Sequence, residues 1–183
     1  VNPSDLIALC AHLLAVLVLL SLVGGRSRKA WRIRFAILVG CILIGLPGVQ
    51  RGIFGDLSAA SIVACVGFLI GTATEQVRTL LRITFVLALP LYVTSLSGIG
   101  PDLYALGFSQ WWLVVPLAAF GFWSVSQERF WITLWVLLAL VMTALPIHES
   151  SNLWDALVDV PAAVAGLVAW CIGWKASGKA SST

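Results

Sequence analysis

The sequence predicts an all-α bundle of about seven membrane-spanning helices. Three observations predict it: a composition too poor in charge for a water-facing surface, a succession of apolar runs of helical length, and a lopsided distribution of Lys and Arg between those runs. Of 183 residues, 60 % are hydrophobic and only 10 % are charged, and the mean hydropathy is +1.01. Soluble domains carry roughly a quarter charged residues, so this chain lacks the polar groups to cover a surface in water, whereas a bilayer asks for none. In hydrocarbon each backbone N–H and C=O must be satisfied within its own segment, which makes uninterrupted apolar runs helices.

The runs fall near 5–24, 33–50, 56–74, 80–97, 102–124, 129–146 and 153–174, with a short polar tail over 175–183, all within one transmembrane domain. Comparable stretches recur along the chain, so the first reads as a span and not as a cleaved signal. The second follows a basic cluster and closes on Leu46-Pro47, the fourth on Leu89-Pro90 and the sixth on Leu145-Pro146. The first, third, fifth and seventh open on an acid and a small apolar turn: Asp5-Leu6, Asp56-Leu57, Asp102-Leu103 and Asp155-Ala156. An aspartate there accepts from orphan helix N–H groups and complements the dipole. The openings recur about every fifty residues, which predicts a degenerate helical-hairpin repeat with a proline-broken exit. Several runs are short for a core of roughly 30 Å at about 1.5 Å per residue, so their ends are expected in the interface. Pro116 and Pro161 fall inside the fifth and seventh runs and predict kinks.

Ten of the eleven basic residues lie in connections on one face: Arg26, Arg28, Lys29, Arg32 and Arg34, then Arg78 and Arg82, then Arg129, then Lys175 and Lys179. Arg51 alone lies on the other. The positive-inside rule places the first group in the cytoplasm, giving N-out, C-in topology in a cytoplasmic (inner) membrane. Most of the acids fall on the opposite face. Trp31, Trp123, Trp131 and Trp174 sit near the expected inner interface, where amphipathic rings are comfortable.

Candidate functional residues are few. Buried charge in lipid costs roughly 2.5–3.5 kcal/mol even on the lenient insertion scale, so His12 and Asp159, both expected in the outer half of the membrane, mark a transport or proton-sensitive site if the first and seventh helices are neighbours. The bland reading has His12 bonded to a backbone carbonyl and Asp159 reaching water. Arg26, Arg28, Lys29, Arg32 and Arg34 suit anionic headgroups. Gly67 with Gly71, and Ala162 with Gly166, have the small-xxx-small spacing of close helix packing.

Enzyme signatures are missing from the sequence. It has no zincin helix, no GxSxG elbow and no nucleotide loop. Phe54-Gly55-Asp56 lacks the first glycine of the membrane aspartyl peptidase motif, with Ile53 in its place. The four cysteines form no CxxC pair, and His148-Glu149 alone makes no metal site. No cofactor is indicated by any motif. The expected partners are membrane lipids and other membrane subunits or a second copy; the basic residues sit in short topogenic clusters, which excludes nucleic acid. The expected function is that of a non-enzymatic structural or accessory subunit of a membrane assembly, with a small transporter or channel using His12 and Asp159 as the alternative.

Overall fold

The computed structural model describes residues 3–22, 28–70, 75–108, 111–145 and 150–180. Among them the chain is all-helical, without strand. In chain order the helices are α1 (Pro3–Leu22), α2 (Arg28–Leu43), α3 (Leu46–Phe54), α4 (Ala59–Ile70), α5 (Glu75–Ser97), a 3-10 turn at Ala105–Phe108, α6 (Trp111–Ser126), α7 (Phe130–Ala144), α8 (Leu153–Leu157) and α9 (Val160–Ala180). Each apolar run overlaps one helix of twelve or more residues, α1, α2, α4, α5, α6, α7 or α9. Over the described side chains, α5 is the one helix long and apolar enough to cross a membrane, and α2 with α3 passes the same test as a bent pair.

The ends of the runs differ from expectation, each for a local reason. Residues 46–50 do not extend α2. Gly45 turns into left-handed backbone, φ 71°, and Pro47 opens α3, which leaves α2 at 69°; a proline in the first turn gives up only an N–H that had no partner. Leu89-Pro90 is not an exit either, because α5 runs on to Ser97 with Pro90 inside it, and α7 ends at Ala144 with Leu145 as its C-cap, Pro146 lying outside the described residues. The stretch before α6 is a loop and a 3-10 turn capped by Asp102, whose Oδ1 accepts from the N–H groups of Tyr104 and Ala105. The seventh run is cut into α8 and α9 at Val158–Asp159. Pro161 falls in the first turn of α9, where a missing N–H had no partner to lose, and the Leu157 carbonyl that ends α8 accepts from Trp135 Nε1 at 2.9 Å. Residues 175–180 continue α9.

The core is formed where α4, α5, α7, α8 and α9 meet, around Ala60, Val63, Leu80, Ile132, Trp135 and Leu153. The most extensive packing joins α5 and α9. There Gly166 is pressed against the Leu81 carbonyl, so that a Cβ would stand 2.1 Å from its oxygen; only glycine permits so close a crossing. Ala162 is buried one turn earlier. Gly67 is buried on α4, while Gly71 lies outside the described residues.

Charge divides between the two ends of the bundle. At one end Glu75 pairs with Arg78 and Arg82, Arg82 also donates to the Ala169 carbonyl of α9, and Gln76 ties α5 to the α6–α7 turn through Glu128 and Trp131. Arg34, grouped by sequence with the lipid-contacting cluster, is turned inward: it is buried and donates to the carbonyls of Leu20 and Ser21, the last turn of α1. Those carbonyls have no partner within their own helix, and a guanidinium at a helix C-terminus also suits the dipole. Arg32 is exposed, Arg28 and Lys29 lie in the first turn of α2, and Arg26 falls outside the described residues. The other end gathers Asp5, Asp56, Asp102, Asp155 and Asp159 and is called the acidic end below.

Candidate functional site

The acidic end is built from helix beginnings. Ser58 precedes α4 and its hydroxyl accepts from the Ser61 N–H, an N-cap. Asp159 precedes α9 and its Oδ1 accepts from the Ala162 N–H at 2.7 Å. The same carboxylate reaches across to α4, taking the Ser58 N–H on Oδ2 at 2.7 Å and the Ser61 hydroxyl on Oδ1 at 2.8 Å. One buried carboxylate therefore caps its own helix and holds the start of another. Two helix N-termini facing one anion supply the electrostatic compensation that its burial needs.

His12 lies on α1, fully buried, with Nε2 3.1 Å from the Gly55 carbonyl oxygen. The structure thus brings His12 and Asp159 to opposite ends of one short segment, Gly55 to Ser61, without a direct bond between them. His12 meets a backbone carbonyl, and Asp159 is buried in hydrogen bonds where the bland reading had it reaching water.

A residue that sequence reasoning set aside organises this end. Arg51 on α3 donates from Nη1 to Asp5 at 2.8 Å and from Nε to Asp56 at 2.7 Å. It joins α1, α3 and the segment entering α4. As the lone basic residue among acids it was conspicuous in the sequence, and an unaccompanied cation amid carboxylates is the signal that finds it.

A second polar knot lies beside it. The Tyr104 hydroxyl donates to Asp155 at 2.7 Å. Asn152 donates from Nδ2 to the Tyr104 carbonyl and accepts from the Trp154 N–H, and Trp154 Nε1 donates to the Leu103 carbonyl. Gly107 admits this approach, since a Cβ there would fall 1.7 Å from Asn152 Oδ1. Between the two knots opens a cavity of about 230 Å³, walled by Phe54, Gly55, Asp56, Tyr92, Asp155 and Asp159 among others.

The arrangement binds helix ends together and leaves an acid-lined recess between them. Among the described residues no group of three or more His, Cys, Asp or Glu side chains is placed to hold a metal ion; His148 and Glu149 lie outside those residues. All four cysteines are free. No family model matches the chain, and neither a curated protein nor a solved structure matches it.

Proposed function

We propose that this chain is a multi-pass membrane protein that serves as a non-enzymatic structural or accessory subunit, binding partner subunits through apolar helix faces. The observation that carries the reading is the inverted polarity of α3. Beyond its first turn, where Pro47 is buried, its polar Gln50 and Arg51 are the more covered side chains, while Val49, Ile53 and Phe54 are exposed. A helix resting on a protein in water does the opposite. The same inversion runs through the bundle: Phe35, Leu43, Trp111, Trp112 and Phe122 point outward, while His12, Arg34, Asn152 and Asp159 are buried and bonded to backbone groups of other elements. Outward apolar area of this extent marks a lipid or protein contact surface. Buried polar groups committed to holding helix ends suit a scaffold.

In this reading the seven long helices are spans, shorter ones reaching the interface through α3, α8 and the 3-10 turn. The acidic end faces outward, and the end carrying Glu75, Arg78 and Arg82 faces the cytoplasm. Arg26, Arg28, Lys29 and Arg32 meet anionic headgroups there. A membrane-impermeant thiol reagent applied to intact cells tests the sidedness: a cysteine in the 26–32 segment stays unlabelled, and labelling inverts the topology. The subunit role is tested by extracting the protein from its native membrane and measuring the mass and composition of what is recovered. Unrelated chains in fixed ratio are expected. A single species that moves solute when placed in liposomes overturns the role.

That overturning result belongs to a second reading, a small transporter or channel, favoured by one observation. The cavity at the acidic end carries Asp56, Asp155 and Asp159 on its wall, and α3–α4 and α8–α9 are both interrupted beside it, as broken helices are at transport sites. Under this reading His12→Ala and Asp159→Asn each abolish transport or its pH dependence, and normal transport by both variants removes the assignment.

A further inference from the structure

Helix α3 is jointed at both ends. Gly45 and Gly55 each stand at φ 71°, and neither would meet another atom within 4 Å if it carried a Cβ. The joints are thus set in backbone that glycine adopts freely and have open space around them. Between them the nine-residue helix leaves α2 at 69° and rests on α1 and α2. Its last residue, Phe54, with Gly55 and Asp56 after it, forms the wall of the 230 Å³ cavity that faces Tyr92, Asp155 and Asp159.

We propose that α3 is a hinged lid on this cavity, held shut by Arg51. The two arms of the clamp differ. The Asp56 side chain is 5 % exposed and the Asp5 side chain 52 %, so the Asp5 arm is the one that water and salt weaken. Asp5 belongs to α1 and Asp56 to the segment entering α4, so Arg51 pins the last turn of the lid to both. The His12 contact to the Gly55 carbonyl holds the second joint in place while the helix turns about it. Release of Arg51 draws Phe54 off the cavity wall and opens it. The device holds under either functional reading, because it concerns the movement of one helix over one recess.

The test uses the full chain in lipid nanodiscs, with Cys10, Cys41, Cys65 and Cys171 replaced by alanine and one reporter cysteine added. Val158→Cys reports the cavity wall, where the native residue is 3 % exposed; Ala139→Cys reports the core of α7, fully buried. The rate of labelling by a small charged thiol reagent is compared with and without Arg51→Ala. The clamp predicts a rise of about tenfold at position 158, the factor equivalent to about 1.4 kcal/mol, and none at position 139. No rise at 158, or an equal rise at both, overturns the proposal, the second because Arg51 would then hold the whole fold and not the lid. Should Arg51→Ala fail to fold, Asp5→Asn, which removes one exposed arm, decides by the same comparison with an expected rise of about twofold to threefold.

Discussion

Alanine in place of Gly166 puts a methyl group 2.1 Å from the Leu81 carbonyl oxygen and 2.8 Å from Phe85 Cβ. The first contact is about 1.3 Å short of ordinary van der Waals separation, and its partner is backbone, which cannot swing aside as a side chain does. Helices α5 and α9 must therefore separate, and they form the most extensively packed pair in the fold. Overpacking of this kind costs about 1–3 kcal/mol, whereas replacing a helical glycine by alanine gains about 1 kcal/mol of helix propensity, so a net loss of up to about 2 kcal/mol is expected. The gain is isolated by Gly40→Ala in α2, where a Cβ meets nothing within 4 Å. Gly121→Ala lies between, its Cβ 3.1 Å from a Val136 methyl. Thermal unfolding of the three variants in one detergent should rank Gly40→Ala most stable, Gly121→Ala next and Gly166→Ala last, several degrees apart. If Gly166→Ala melts with Gly40→Ala, the close crossing of α5 and α9 does not exist and the packing described above is wrong.

Asp159→Ala leaves three donors without their acceptor and is expected to lose about 2–4 kcal/mol, with Asp159→Asn losing less because one amide oxygen remains; equal stability of the two in denaturant titration refutes the cross-capping role. Trp135→Phe removes the donor to the Leu157 carbonyl and trims a fully buried side chain, at a combined cost of about 2–4 kcal/mol; a loss below about 1 kcal/mol in denaturant titration contradicts that contact. Gly55→Ala, at φ 71° and ψ −162°, should be the costlier of the two joint substitutions, since that region is essentially reserved for glycine, while Gly45→Ala at φ 71° and ψ 19° should cost about 1 kcal/mol. The reverse order of melting temperatures contradicts the backbone described for α3.

The helices themselves were legible because uninterrupted apolar runs of twelve residues and more are too long for ordinary strands and read as helices, and the gathering of acids at one end was legible from their places between runs. The local half of several contacts was legible too. Gly45-Leu46-Pro47 carries a helix stop followed by a proline start, and Asp159-Val160-Pro161 is an N-cap ahead of a first-turn proline; apolarity averaged over a window hides both, which is why α3 and the α8–α9 break were absorbed into longer spans. Arg34 shows the other limit. Counted as one charge among five it reads as topogenic, yet its partners are the carbonyls that α1 leaves open on a neighbouring helix, a fact of packing and not of local pattern. The Asp159 carboxylate meets Ser58 across 101 residues of chain, and His12 meets Gly55 across 43. A polar residue inside an apolar run states that a partner must exist, because an unpaired one costs several kcal/mol. Which partner it is depends on which helix ends come together: here His12 meets the Gly55 carbonyl, and Asp159 takes the Ser58 N–H, the Ser61 hydroxyl and the Ala162 N–H.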